Sequence, residues 1–131
     1  MAYPTGNGVE ILRSGGIIDA TDANTWLEFD GSSASPGDTT GVVPAHHIIT
    51  ILNITIFEAS NASRTFDLNI QPGGSGTIRL TRNHPVGAYE TFVWNDRLVL
   101  TGGDKMYFAG SSSSTFHVWY SYIDQNWSGS N

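Results

Sequence analysis

The chain of 131 residues contains no cysteine. Disulfides, thiolate metal sites and thiol nucleophiles are therefore excluded, and stability must come from packing or assembly. Cations are scarce as well: six Lys and Arg stand against twelve Asp and Glu, for a net charge of −6. With no basic cluster to hold a phosphate backbone, nucleic acid is not an expected partner. No apolar run approaches the roughly 20 residues that span a bilayer. The opening MAYPTGNGVEIL lacks the basic segment and apolar stretch of a signal peptide. A soluble, non-exported protein with no membrane partner is expected. Charged residues make up only 14% of the chain, so its surface must rest largely on neutral Gly, Ser, Thr and Asn. No window carries a convincing helical period.

What is present is alternation with a period of two. In residues 64–70, Phe66, Leu68 and Ile70 point to one side and Thr65, Asp67 and Asn69 to the other, the pattern of a half-buried antiparallel strand. Residues 47–57 are richer in β-branched side chains, with Ile48, Leu52, Ile54 and Ile56 on one face and Ile49, Ile51 and Phe57 partly filling the other. That strand is expected to be covered on both sides. Further strands are predicted over 77–82, 89–94, 98–100, 105–109 and 115–123, separated by PGGSG, NHPVG, GGD and GSSSS turns. Residues 26–29 are a weaker candidate, ahead of a loop over 30–41.

Short strands at regular spacing define the fold class. An all-β, antiparallel β-sandwich of jelly-roll type is expected, with an extended N-terminal arm over residues 1–20 and a single sandwich domain over 21–131. The arm, polar and glycine-rich with apolar anchors at Ile11 and Leu12, either lies on a neighbouring subunit or is an ordinary first strand with a frayed end.

Candidate chemistry is thin. Asp19, Asp22 and Asn24 offer oxygen ligands, but the spacing and terminal Glu of a calcium loop are missing, so a self-capping loop explains them better. His46 and His47 are adjacent and, on an extended strand, point to opposite faces; His84 and His117 are distant in sequence. No metal site and no cofactor are expected. No serine sits in a nucleophile elbow, the PGGSGT glycines feed a strand rather than a helix, and no acid pair lies in a recognisable motif. No catalytic residue is assigned, and an enzyme is not expected.

In LTGGDK, Gly102 and Gly103 permit a chain reversal, Asp104 can accept a turn amide and Lys105 can pair with it at the surface. In the strand that follows, Phe116, Val118, Tyr120 and Tyr122 face the core and leave His117, Trp119, Ser121 and Ile123 outside. An outward Trp119, with Trp127 just beyond, marks a subunit contact, because Trp is enriched where subunits meet. Cover by a loop of the same chain is the alternative.

The segment from VPAHHIITILNITIFEASNASRTFDLNI through NHPVGAYETFVWNDRLVLTGGDKMYFAGSSSSTFHVWYSYID resembles a small β-sandwich module of the structural proteins of tailed bacteriophages. The elements that carry the resemblance are Val-Pro-Ala at 43–45, the Asn-rich hairpin at 61–63, the proline-glycine turn at 85–87, the Leu-x-Leu-x-x-Gly-Asp-Lys turn at 98–105, the serine loop at 111–114 and the closing Ser-Tyr at 121–122. It covers roughly the last two thirds of the chain. The resemblance implies a virion structural protein assembled in the host cytoplasm, most specifically a capsid cement or decoration protein. Such a protein would be a homo-oligomer, a trimer in preference, and would bridge subunits of the major capsid protein. The alternative it leaves is a tail or fibre accessory protein whose exposed aromatics, Trp94 or Trp119, stack on host glycan.

Overall fold

Alternating β-branched and polar residues, punctuated by glycine and serine, fold here as strands. The computed structural model describes residues 9–73 and 76–127, and its regular elements are β1 (Val9–Ala20), β2 (Thr25–Trp26), β3 (His47–Glu58), β4 (Arg64–Gln71), β5 (Ile78–Val86), β6 (Thr91–Trp94), β7 (Leu98–Thr101), β8 (Lys105–Gly110) and β9 (Phe116–Asn126). They form two sheets, one ordered β1-β9-β3-β6 with β7 also on β3, the other ordered β2-β8-β4-β5. Every pairing between named strands is antiparallel. Strands β6 and β7 lie end to end along β3, opposite residues 54–57 and 48–51, and act as one strand interrupted at residues 95–97. Counted so, the eight strands run first, eighth, third, sixth in one sheet and second, seventh, fourth, fifth in the other. That is the order of a jelly roll.

The core lies between the sheets, and its centre is aromatic. Phe66 stacks on Phe108 at 5.6 Å and meets Phe92 at 5.3 Å, while Tyr120 and Tyr122 stack at 5.8 Å with Phe29 edge-on to the latter at 5.4 Å. Both phenols are fully buried and therefore need polar partners. The Tyr120 hydroxyl donates to the Glu28 carbonyl at 2.6 Å, and the Tyr122 hydroxyl accepts from the Gly31 amide at 3.0 Å. Burial pushes both phenols above the ordinary tyrosine range, because the phenolate would lose its hydration.

Three expectations are corrected. The expected two-sided cover of residues 47–57 gives way to a β-bulge in β3. Ile51 pairs with Tyr122 and Asn53 with Ser121, so Leu52 is the extra residue. The bulge reverses the phase: Ile49 and Ile51 face the core before it, Ile54 and Ile56 after it, and the opposite face is only half-buried. NHPVG is not a turn as a whole. His84, Pro85 and Val86 stay in β5, opposite Phe66, Thr65 and Arg64. Strand β5 is a sheet edge, where the missing proline N–H costs nothing, and the reversal follows at the hydrogen bond from the Glu90 amide to the Gly87 carbonyl.

The third correction concerns the arm. Residues 9–20 are strand β1, held in register with β9 from Val9 opposite Asn126 to Ile17 opposite Val118. The strand is locked because Ile17 is fully buried and because Gly15 lets the backbone approach Tyr120. Residues 1–8 lie outside the described residues.

Candidate functional site

The phase of each strand decides what the five-stranded sheet shows to the outside. On β9 the even residues Phe116, Val118, Tyr120, Tyr122 and Asp124 are buried, which leaves His117, Trp119, Ser121 and Ile123 outward. The registers of the neighbouring strands extend this into rows. Leu12, Ile123, Thr50 and Val99 lie side by side across the sheet, as do Gly16, Trp119, Thr55 and Val93. Leu12, Ile18, Val93, Val99 and Trp119 leave between 44% and 71% of their surface exposed. The face is also uncharged: of the charged residues in its strands, Arg13, Glu58 and Asp124 turn inward, and Glu10 and Asp19 stand at the two ends of β1. Strands β4, β5 and β8 of the other sheet carry Asp67, Arg79, Arg82 and Lys105 outside the core.

Trp119 is fixed as well as exposed. A Cβ on Gly16 would stand 2.9 Å from Trp119 Cε3, so the indole lies against the glycine backbone, where any side chain would displace it. Beside it opens a depression of about 330 Å³ lined by Gly16, Ile18, Thr55, Phe57, His117 and Trp119, among others. The His117 ring stacks on Phe57 at 6.3 Å, and its Nε2 stands 3.8 Å from Asp19 Oδ1.

The four residues singled out in the sequence part company here. Leu12 and Trp119 share this outer face. Ile11 is exposed at the N-terminal end of β1, opposite Asp124, with the inward phase. Trp127 lies past the end of β9, its ring edge-on to His46 at 5.0 Å and its amide donating to the His46 carbonyl at 3.1 Å. Ile18, Val93 and Val99 were not singled out, although Val93 and Val99 each sit out of phase between two larger apolar residues, which is the signal of an outward position. Trp94, expected as a glycan platform, packs on the core instead, and its indole N–H donates to the Asp96 carbonyl at 2.8 Å.

A second hollow of about 640 Å³ lies between residues 42–48, residues 101–103 and Trp127. His46 adopts a φ of 66° and precedes β3, so the extended strand on which His46 and His47 were expected to point apart begins only at His47; both residues line the hollow. Behind them His47 Nδ1 meets Asp124 Oδ1 at 2.7 Å and Arg13 Nε donates to Asp124 Oδ2 at 3.3 Å, so one buried carboxylate joins β1, β3 and β9. His84 is remote, packed on Phe66 and Phe92. Among the described residues, no group of three or more His, Asp or Glu side chains is placed to hold a metal ion.

Asp104 is a clasp. Its Oδ2 accepts from the Thr101 amide at 2.9 Å and its Oδ1 from the Gly73 amide at 3.0 Å. Lys105 does not pair with it as expected. Its Nζ stands 4.5 Å from the centre of the Trp26 ring, a cation–π contact.

No protein-family model and no curated protein matches the sequence. Among solved structures, the chain is similar to infectious bursal disease virus VP2 in its subviral particle, at 13% identity and a TM-score of 0.49, over 95% of this chain and 34% of that one. It thus spans about a third of the length of the viral chains it matches. It is also similar to the globular domain of zebrafish complement 1qA, at 12% identity and a TM-score of 0.42, over 98% of this chain and 100% of that one. A third likeness is to Eiger TNF from S. frugiperda, at 13% identity and a TM-score of 0.38, over 87% of this chain and 90% of that one. At these values the assignment of the jelly roll rests on the strand order itself.

Proposed function

We propose that the chain is a structural protein of a virus particle that acts by adhesion and makes or breaks no bonds. More specifically, it is a capsid cement or decoration protein, a homo-oligomer and by preference a trimer, that holds neighbouring subunits of the major capsid protein together. The observation that carries the reading is the uncharged outer face of the five-stranded sheet, with Leu12, Ile18, Val93, Val99 and Trp119 exposed on it. An apolar surface of this kind, rimmed by polar residues, is the composition of a contact core. The assignment to a tailed-phage virion rests on the resemblance of the segment from residue 43 onward to structural modules of such particles. Quantitative mass spectrometry of purified virions tests it: copies comparable to the number of shell subunits are expected, and a handful per particle would exclude a cement role.

A second reading is a tail or fibre accessory protein that binds glycan on the host surface. It is favoured by the exposed indole of Trp119 beside a shallow depression, since an aromatic ring can stack on sugar. Binding on a glycan array that Trp119→Ala abolishes would support it, and a blank array would count against it.

A further inference from the structure

We infer that the outer face of the five-stranded sheet is covered by a second copy of this chain, with Trp119 as the anchor of the contact. The inference deepens the adhesive role proposed above by naming the occupant of the face. Charge is the first argument. Each copy carries a net charge of −6, so two copies repel wherever carboxylates would meet, and a like-charge contact costs affinity. Among the described residues the sheet face confines that repulsion to its margin, because its charged residues, Glu10 and Asp19, lie at the ends of β1.

Shape is the second argument. The same surface carries projections, Leu12, Val99 and Trp119, and a depression lined by Gly16, Ile18, Phe57 and His117. A surface that holds both knob and hole can complement another copy of the same chain. The third argument is preorganisation: Gly16 seats the Trp119 ring before contact, so little rotamer entropy remains to be lost on association.

The test is sedimentation velocity on the full chain over a dilution series, with Trp119→Glu and Trp119→Ala beside it. The control is Ile78→Glu, a comparably exposed apolar residue on the other sheet. The wild-type chain is expected to associate reversibly. Trp119→Ala should weaken association at least about 30-fold and Trp119→Glu at least about 100-fold, with circular dichroism unchanged, while Ile78→Glu associates as the wild type does. A wild-type chain that stays monomeric throughout overturns the inference, as does Trp119→Glu associating like the wild type. In either case high copy number in virions would leave the cement reading standing and assign the face to a shell protein. Conversely, Trp119-dependent association of a chain absent from virions would support this contact and remove the virion role.

Discussion

Gly15→Ala tests whether residues 9–20 belong to the sandwich as its first strand. A Cβ at this position would stand 2.7 Å from the Tyr120 hydroxyl oxygen, 2.8 Å from Tyr120 Cζ and 2.9 Å from the Ser32 carbonyl. None of these can retreat freely. Tyr120 is fully buried and tied to the Glu28 carbonyl, and the Ser32 amide is bound to Asp30. Overpacking of this kind costs about 1–3 kcal/mol, of which about 0.5–1 is offset because alanine loses less backbone freedom than glycine on folding. The net loss, centred a little above about 1 kcal/mol, corresponds to a Tm lower by about 4–5 °C for a domain of this size. The assay is thermal unfolding followed by circular dichroism at one fixed protein concentration, since association also shifts Tm. Tyr120→Phe alone loses the hydroxyl's hydrogen bond, worth about 1 kcal/mol. In that background Gly15→Ala should cost less than it does in the wild type, because the nearest clashing atom is gone. A Gly15→Ala chain as stable as the wild type would refute the close contact and with it the placement of β1.

The buried phenols make a pH prediction. Because the folded values of Tyr120 and Tyr122 lie above the unfolded one, their contribution is fully present below about pH 10 and is lost as pH rises further, by up to about 1.4 kcal/mol per pH unit for Tyr120. Urea unfolding should therefore weaken from pH 10 to pH 11, and a flat profile there would argue against their burial. Asp124→Ala should cost about 2–3 kcal/mol, because it strands His47 beside Arg13, although the partial exposure of Arg13 softens the loss. A cost below 1 kcal/mol in urea unfolding would show that the carboxylate does not join β1, β3 and β9. Asp104→Ala removes the acceptor of two backbone amides and should cost about 1–2 kcal/mol, with faster proteolytic cleavage near residues 101–105. Cleavage at the wild-type rate would contradict the clasp.

Strict alternation made β9 legible: Phe116, Val118, Tyr120 and Tyr122 face the core as their spacing requires. The same rule misled at β3, because a bulge at Leu52 is set by pairing with β9, a partner about seventy positions away, and nothing local in ILNITI marks it. NHPVG has the composition of a turn, yet Pro85 sits in a strand because β5 is an edge, which only the sheet order reveals. His46 defeated the extended-strand argument by taking a left-handed conformation. The outward phase of Trp119 was readable in sequence. That Leu12, Ile18, Val93 and Val99 lie on the same face is a property of registers between distant strands, and so emerged only from the fold.

The adhesive role of the sheet face is tested most directly by hydroxyl-radical footprinting of the chain in its assembled state, compared with the chain diluted until it is free. Leu12, Ile18 and Trp119 should label strongly when free and fall silent on assembly, whereas Ile78 on the opposite sheet should label equally in both. Protection of Ile78 with Trp119 still fully reactive would place the contact on the wrong side of the sandwich and contradict the account.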